Sequence, residues 1–390
     1  MRVRAVLTAV FLLAACTTAP PERVTLTWWD HLDHSPVADQ AVEALIARHH
    51  AAHPHVEIKR TAVPRAELEE RLARGPRPDI AAVDVAALPR LAAASALTDL
   101  SGRFQGWDLP FVEPARDSVR SAGRYYGVPL RTDTPVLLYN RDLFAAGGVA
   151  GPPATWADLR VTARSLTGAG RWGLCLAAGA GDDLTGTFLP FLWQAGGDVR
   201  DVTGAVEALS FVDSLMAGAH PDSLRWSSTD ATTAFTEGRC AMTVNGPRAV
   251  PALNAAGLDW GAAPLPAGPA GTASLVGGEA WVVGAGSPHA DRAWEVLRWL
   301  AEQPDNATEF GAALQAVPNR SDTAADPGWQ WDPNLGAFTT QLASARSPYT
   351  PRHPEVSAEL SAMVRAVLHE GRPPADAAAD AKPRLDPLLR

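Results

Sequence analysis

Apolar residues recur in two rhythms along this chain. Short branched runs predict strands at Val24–Trp28, Val56–Val63 and Asp79–Asp84. Between them, apolar residues three and four apart predict helices. Ser35 caps the first, with Pro36 at its first position and Val37, Ala41 and Leu45 on one face. Arg65–Ala73 and Ala86–Ala94 follow, with a turn at Gly75-Pro76-Arg77-Pro78. This β-α alternation predicts a parallel sheet with crossover helices. Ligands of such sheets sit beyond the carboxyl ends of the strands, where the polar loop Trp29–His34 and Asp84 fall.

A second pattern begins at Tyr125. The extended runs Tyr125–Leu130 and Val136–Tyr139 flank the polar turn Arg131–Pro135, and Asn140-Arg141-Asp142 reads as a helix cap and first turn. This places the carboxylate of Asp133 where one lobe hands over to another. Helices are expected at Trp156–Leu166, Asp183–Gln194 and Thr203–Ala217, and strands at Trp172–Leu176, Cys240–Val244, Trp260–Ala263 and Trp281–Val283. The helix beginning at Ser287-Pro288 aligns Ala293, Val296, Leu297 and Leu300. The tail is helical over Asp332–Ala345, Pro354–His369 and Pro374–Leu388.

At 390 residues, two lobes are the natural expectation. A net charge of -9 without a basic stripe argues against nucleic-acid binding. The 13 Trp against 4 Tyr bring flat apolar rings that suit either a core or a sugar face. Arg2 and Arg4 precede the apolar run Ala5–Ala15, which has signal-peptide length and is too short to span a bilayer. It ends in Leu13-Ala14-Ala15-Cys16, which resembles a bacterial lipobox. That resemblance implies cleavage after residue 15, lipid on Cys16, a tether over 17–22 and an exported, membrane-anchored protein. Export permits a disulfide between Cys175 and Cys240 if their strands are neighbours; two buried thiols are the alternative.

Gly168–Gly173 matches G-x-G-x-x-G, but a helix precedes it and a strand follows, the reverse of the dinucleotide fingerprint. His49, His50, His53 and His55 sit at a helix end, where a solvated cationic surface explains them better than a metal. His31 and His34 share a strand-end loop with Asp30 and Asp33 and fit a polar ligand role. Asp30, Asp33, Asp84 and Asp133 include no pair whose spacing singles out a glycosidase acid and nucleophile. No cofactor or metal is implied.

Several segments together resemble the extracellular solute-binding proteins of bacterial ABC sugar importers, the maltose- and trehalose-binding-like group. Tyr126-Gly127-Val128-Pro129, Thr132-Asp133 and Leu138–Leu143 resemble its Y-G-V-P…T-D…Y-N-(K/R)-D-L. Leu192–Gly197 resembles L-W-x-x-G-G, and Phe235–Pro247 resembles F-x-x-G-x-A-A-M-x-x-x-G-P. Gly277-Gly278 with Trp294–Leu297 resembles G-G…A-W-E-F-L. The resemblance implies a two-lobed α/β periplasmic-binding-protein fold with a cleft between lobes and several hinge crossings. Lobe one would hold 23–134 and 281–345, and lobe two 135–280 and 346–390. It implies a monomer that closes on a disaccharide or oligosaccharide and presents it to a membrane permease, without catalysis. By that resemblance Trp29, Asp30, His31, Asp33, His34, Asp84, Asp133 and Thr134 are the first-lobe and hinge contacts. Trp193, Trp226, Gly278, Glu279, Trp281 and Tyr349 are the remaining contacts. Arg248 stands where the group commonly carries Trp after Asn-Gly-Pro, and Glu279 where it often carries Trp after Gly-Gly. These exchanges of ring for charge leave open a sugar phosphate or glycerophosphodiester; a secreted glycoside hydrolase is the alternative from another class.

Overall fold

The computed structural model describes residues 23–200, 203–325 and 332–389. The signal segment, Cys16 and the tether lie outside the described residues. The two main sheets use the strands β1 (Val24–Asp30), β2 (Val56–Ala62), β3 (Ile80–Asp84), β4 (Gly127–Asp133), β5 (Val136–Asn140), β6 (Trp172–Cys175), β7 (Cys240–Asn245), β8 (Trp260–Ala263) and β9 (Gly277–Val283).

The first sheet has the order β2-β1-β3-β9-β4. β1 runs parallel to β2 and β3, as the crossover helices require, and β9 is antiparallel to both its neighbours. One face is covered by helices Pro36–Ala52 and Ala290–Glu302, which bury Leu45, Val296 and Leu297 with Trp28 and Trp281. The face of the first helix differs from the expected one. Ala38, Val42, Leu45 and Ile46 point inward while Val37 is 61% exposed. Val37 lies in the first turn, outside the stripe that faces the sheet. His49 is also buried, edge-on to Trp299, so the surface reading fails for this histidine. Burial and the neighbouring histidines push its pKa down to about 4.

The second sheet has the order β8-β5-β7-β6 and packs against helices Asp182–Gln194, Ala205–Leu215 and His353–Leu368. A disulfide joins Cys175 and Cys240, whose Cα atoms are 5.7 Å apart.

The chain leaves the first sheet at Asp133 and joins the second at Val136, so only Thr134-Pro135 separates the two. Two of the expected lobe boundaries differ. β9 starts at Gly277, not Trp281, because Gly277–Ala280 pair with β3 or β4. Helix Pro333–Leu342 buries Phe338 and Leu342 against Val136, Leu138 and Trp260, so it packs on the second sheet although 281–345 was expected in lobe one. Ala345-Arg346 then pairs with Ser274-Leu275 beside the outgoing crossing.

Candidate functional site

A cavity of about 730 Å³ lies between the two sheets, within the size range of ligand pockets. Two parts of its wall come from strand ends. Asp84 closes β3 and Asp133 closes β4, so both carboxylates emerge where the sheet stops and the cavity begins. The Asp84 carboxylate accepts hydrogen bonds from Arg65 Nη1 at 2.8 Å and from the Ala86 amide at 2.9 Å. Asp133 faces Arg248 Nε at 3.4 Å. Burial raises the pKa of both carboxyls, and Arg65 and Arg248 oppose the rise.

Behind these residues sits a buried ion cluster. Glu279 accepts both a bond from Arg131 Nε and one from Arg131 Nη2 at 2.5 Å, a bidentate pair across neighbouring strands. Arg65 Nη2 adds a third bond at 2.8 Å, and His31 Nε2 lies 3.4 Å away. Arg65 therefore bridges buried Glu279 to cavity-lining Asp84. The charges of Arg131 and Arg65, with the hydrogen bonds from His31 and Arg131, outweigh desolvation and hold the Glu279 carboxyl well below the usual range.

The opposite wall is hydroxylic. Ser228, Thr229, Thr232, Thr233 and Thr236 line it from helix Ser228–Thr236. Their i, i+1, i+4, i+5, i+8 spacing is one helical face. Thr232, Thr233 and Thr236 donate their own protons to the Ser228, Thr229 and Thr233 carbonyls at 2.8–3.0 Å. Thr232 Oγ1 also accepts from Asn245 Nδ2 at 2.5 Å, so the Thr233 and Thr236 oxygens are the ones left to offer lone pairs to a ligand. Asp182, Asp183, Tyr349, His353 and Ser357 complete the wall. Tyr349 donates its hydroxyl to the Val276 carbonyl at 2.9 Å, and burial raises its pKa well above the usual value.

Of the residues expected to bind ligand, Asp84, Asp133, Arg248, Gly278 and Tyr349 line this cavity. The others do not. Asp30 is fully buried and accepts from Arg60 Nε and Nη2 at 2.8 and 2.9 Å, from Trp28 Nε1 at 2.9 Å and from the Leu32 amide at 2.9 Å. It ties β1 to β2, and its bonding capacity is spent on the protein. Trp29 lies beneath the Arg71 guanidinium, 5.7 Å from the ring. His31 belongs to the Glu279 cluster, as does Glu279 itself. Asp33 is exposed off the cavity, and the His34 side chain lies outside the described ones. Thr134 is buried in the crossing and donates to Ser274 Oγ at 3.1 Å. Trp281 packs on Trp28 with ring centroids 4.3 Å apart, and Trp193 is buried in the second core. Trp226 covers His220 beside the disulfide. Large indoles gain more from core burial than from a polar wall. Arg65, Asp182, Asp183, His353 and the threonine face were not anticipated. The threonine spacing was the one local signal for them.

A two-lobed α/β protein with a polar cleft at its strand ends is the architecture of a solute-binding protein. The chain belongs to the bacterial extracellular solute-binding protein family, whose model matches residues 44–337. It is 26% identical over 284 residues to a binding protein of Brucella abortus (strain 2308), covering 69% of each chain. Among solved structures, the GacH receptor of Streptomyces glaucescens, studied unliganded and with acarbose, is 26% identical with a TM-score of 0.78 over 94% of this chain and 98% of that one. The cyclic α-maltosyl-1,6-maltose binding protein of Arthrobacter globiformis is 25% identical with a TM-score of 0.80 over 94% and 99%.

Proposed function

We propose that this protein is the substrate-binding component of an ABC importer and captures an oligosaccharide in the cavity between its lobes. The observation that carries this reading is the cavity wall. Carboxylates at two strand ends face a helix of five hydroxyls, three of which commit their protons to backbone carbonyls, a surface suited to accept hydrogen bonds from a polyol. Contacts from both walls stabilise the closed state, and closure is what the permease recognises. The family is extracellular. The lipobox-like end at Cys16 supports a lipid anchor on the outer face of the membrane. Turnover is not expected. The matched family and the curated relatives are binding proteins.

The test is a thermal-shift screen of the mature protein with disaccharides, malto-oligosaccharides, sugar phosphates and glycerophosphodiesters. A rise with a neutral or amino saccharide supports the proposal. A rise only with phosphorylated compounds transfers the site to Arg65 and Arg248. Release of monosaccharide from a bound oligosaccharide refutes a purely binding role.

A further inference from the structure

The charge of the cavity is uneven. At its first-lobe end Asp84, Asp133 and Glu279 are matched by Arg65, Arg131 and Arg248, each within 3.4 Å of a carboxylate. At its second-lobe end Asp182 and Asp183 open helix Asp182–Gln194 and line the cavity, yet neither makes an ion pair among the described residues. Asp182 accepts from Ser357 Oγ, and Asp183 accepts from the Ser228 amide at 3.2 Å. Ser357 in turn lies 3.0 Å from Thr185 Oγ1, and both are almost fully buried, so Asp182 is fixed from behind.

Helix-start aspartates are common because the dipole favours them. That does not account for His353. It lies one turn before Ser357 on the facing helix, lines the same cavity and is only 9% exposed. Its Nδ1 is buried without a hydrogen-bond partner among the described residues. A polar atom that deep is normally satisfied, and a ligand group reaching this corner would satisfy it. The charges that act on it are those of Asp182 and Asp84, both acidic.

We propose that the corner formed by Asp182, Asp183, His353 and Ser357 binds a cationic nitrogen, so that the preferred cargo is an oligosaccharide bearing an amino sugar. The proposal rests on the saccharide reading of the cavity. The carboxylates supply the charge, and a neutral imidazole accepts one ammonium proton. A phosphate would meet two uncompensated carboxylates here and is disfavoured.

The test compares matched pairs by calorimetry on the mature protein: 2-amino-2-deoxytrehalose against trehalose, and the de-acetylated glucosamine dimer against cellobiose. The amine should bind roughly tenfold or more tightly in at least one pair, the scale of a charge-assisted hydrogen bond. Asp183→Asn and His353→Gln should each lower the ratio of amine to neutral affinity, whatever either does to saccharide binding as a whole. Both substitutions are near-isosteric, and circular dichroism of each variant confirms that it folds. Binding of neutral sugars as tight as their amines in every pair, or an amine preference untouched by both substitutions, overturns the proposal and leaves the saccharide reading intact. If no saccharide of either kind in these pairs or in the wider screen binds, both readings fall together.

Discussion

Glu279 offers the sharpest test of how this molecule holds its site. It is buried in β9 between two strands, with Arg131 beside it almost as deeply buried. Replacing Glu279 with Ala leaves the Arg131 guanidinium in low dielectric without its anion. Breaking a buried pair from one side costs about 3–5 kcal/mol. Arg65 is partly exposed and keeps Asp84, so its loss adds little. A first lobe of roughly 170 residues has an unfolding entropy of about 0.36 kcal/mol/K, which converts that loss to a fall of about 8–14 °C for this lobe. Glu279→Leu with Arg131→Met should recover most of it, since a buried ion pair exchanged for apolar volume is often neutral. The assay is differential scanning calorimetry of the parent, both single variants and the double variant without ligand. The sign with pH also follows. A carboxyl whose folded pKa is depressed contributes stability above its unfolded pKa and loses it as pH falls towards the folded value. The parent's advantage over Glu279→Ala should therefore hold from pH 7 to about pH 5 and shrink in stronger acid. A double variant as unstable as the sum of the singles, or a single variant within a degree of the parent, would refute this account of the cluster.

Four further outcomes are expected. A Cβ on Gly246 would stand 2.2 Å from Asp133 Oδ1 while its φ of -85° suits alanine, so Gly246→Ala should push the carboxylate aside. Ligand affinity measured by calorimetry should fall about tenfold with little change in melting temperature. Gly278 differs: its φ is +123° and a Cβ would lie 1.9 Å from the Arg131 carbonyl oxygen, so Gly278→Ala should lower stability by at least about 2 kcal/mol in a denaturant titration. Asp84 and Asp133 have raised pKa values, so their burial cost is relieved as pH falls and felt as pH rises through the folded values. Ligand affinity should accordingly decline on acidification before ordinary carboxylates titrate, and Asp84→Asn should flatten that profile in a pH series of binding isotherms. The Cys175–Cys240 bridge closes a separation of 65 residues, so its replacement by two alanines should cost the second lobe about 4 kcal/mol, read as an earlier urea midpoint.

The alternation of strands and helices over the first hundred residues was legible because each element satisfies its own periodicity locally. So were the caps at Ser35 and Asn140, where a side chain accepts a nearby amide. The crossing at Thr134-Pro135 and the carboxylates Asp84 and Asp133 were visible as polar residues at the ends of apolar runs. What the pattern could not decide is which polar residues spend their bonds on the protein. Asp30 and Asp84 both end strands of the first sheet. Arg60 reaches Asp30 from the adjacent strand and takes it out of play, whereas Asp84 opens onto the cavity. The tryptophans show the same limit. Trp281, two residues past Glu279, was expected at the ligand, but Trp28 on β1 gives it an apolar partner and draws it inward. His353 and Asp182 are separated by most of the second lobe in sequence, and only the packing of helix His353–Leu368 against helix Asp182–Gln194 brings them to one corner. Sequence by itself determined the elements, their order and the family, because these follow from local periodicity and short motifs. Tertiary structure alone decided the cavity wall, because whether a side chain faces a ligand or the core depends on what lies across from it.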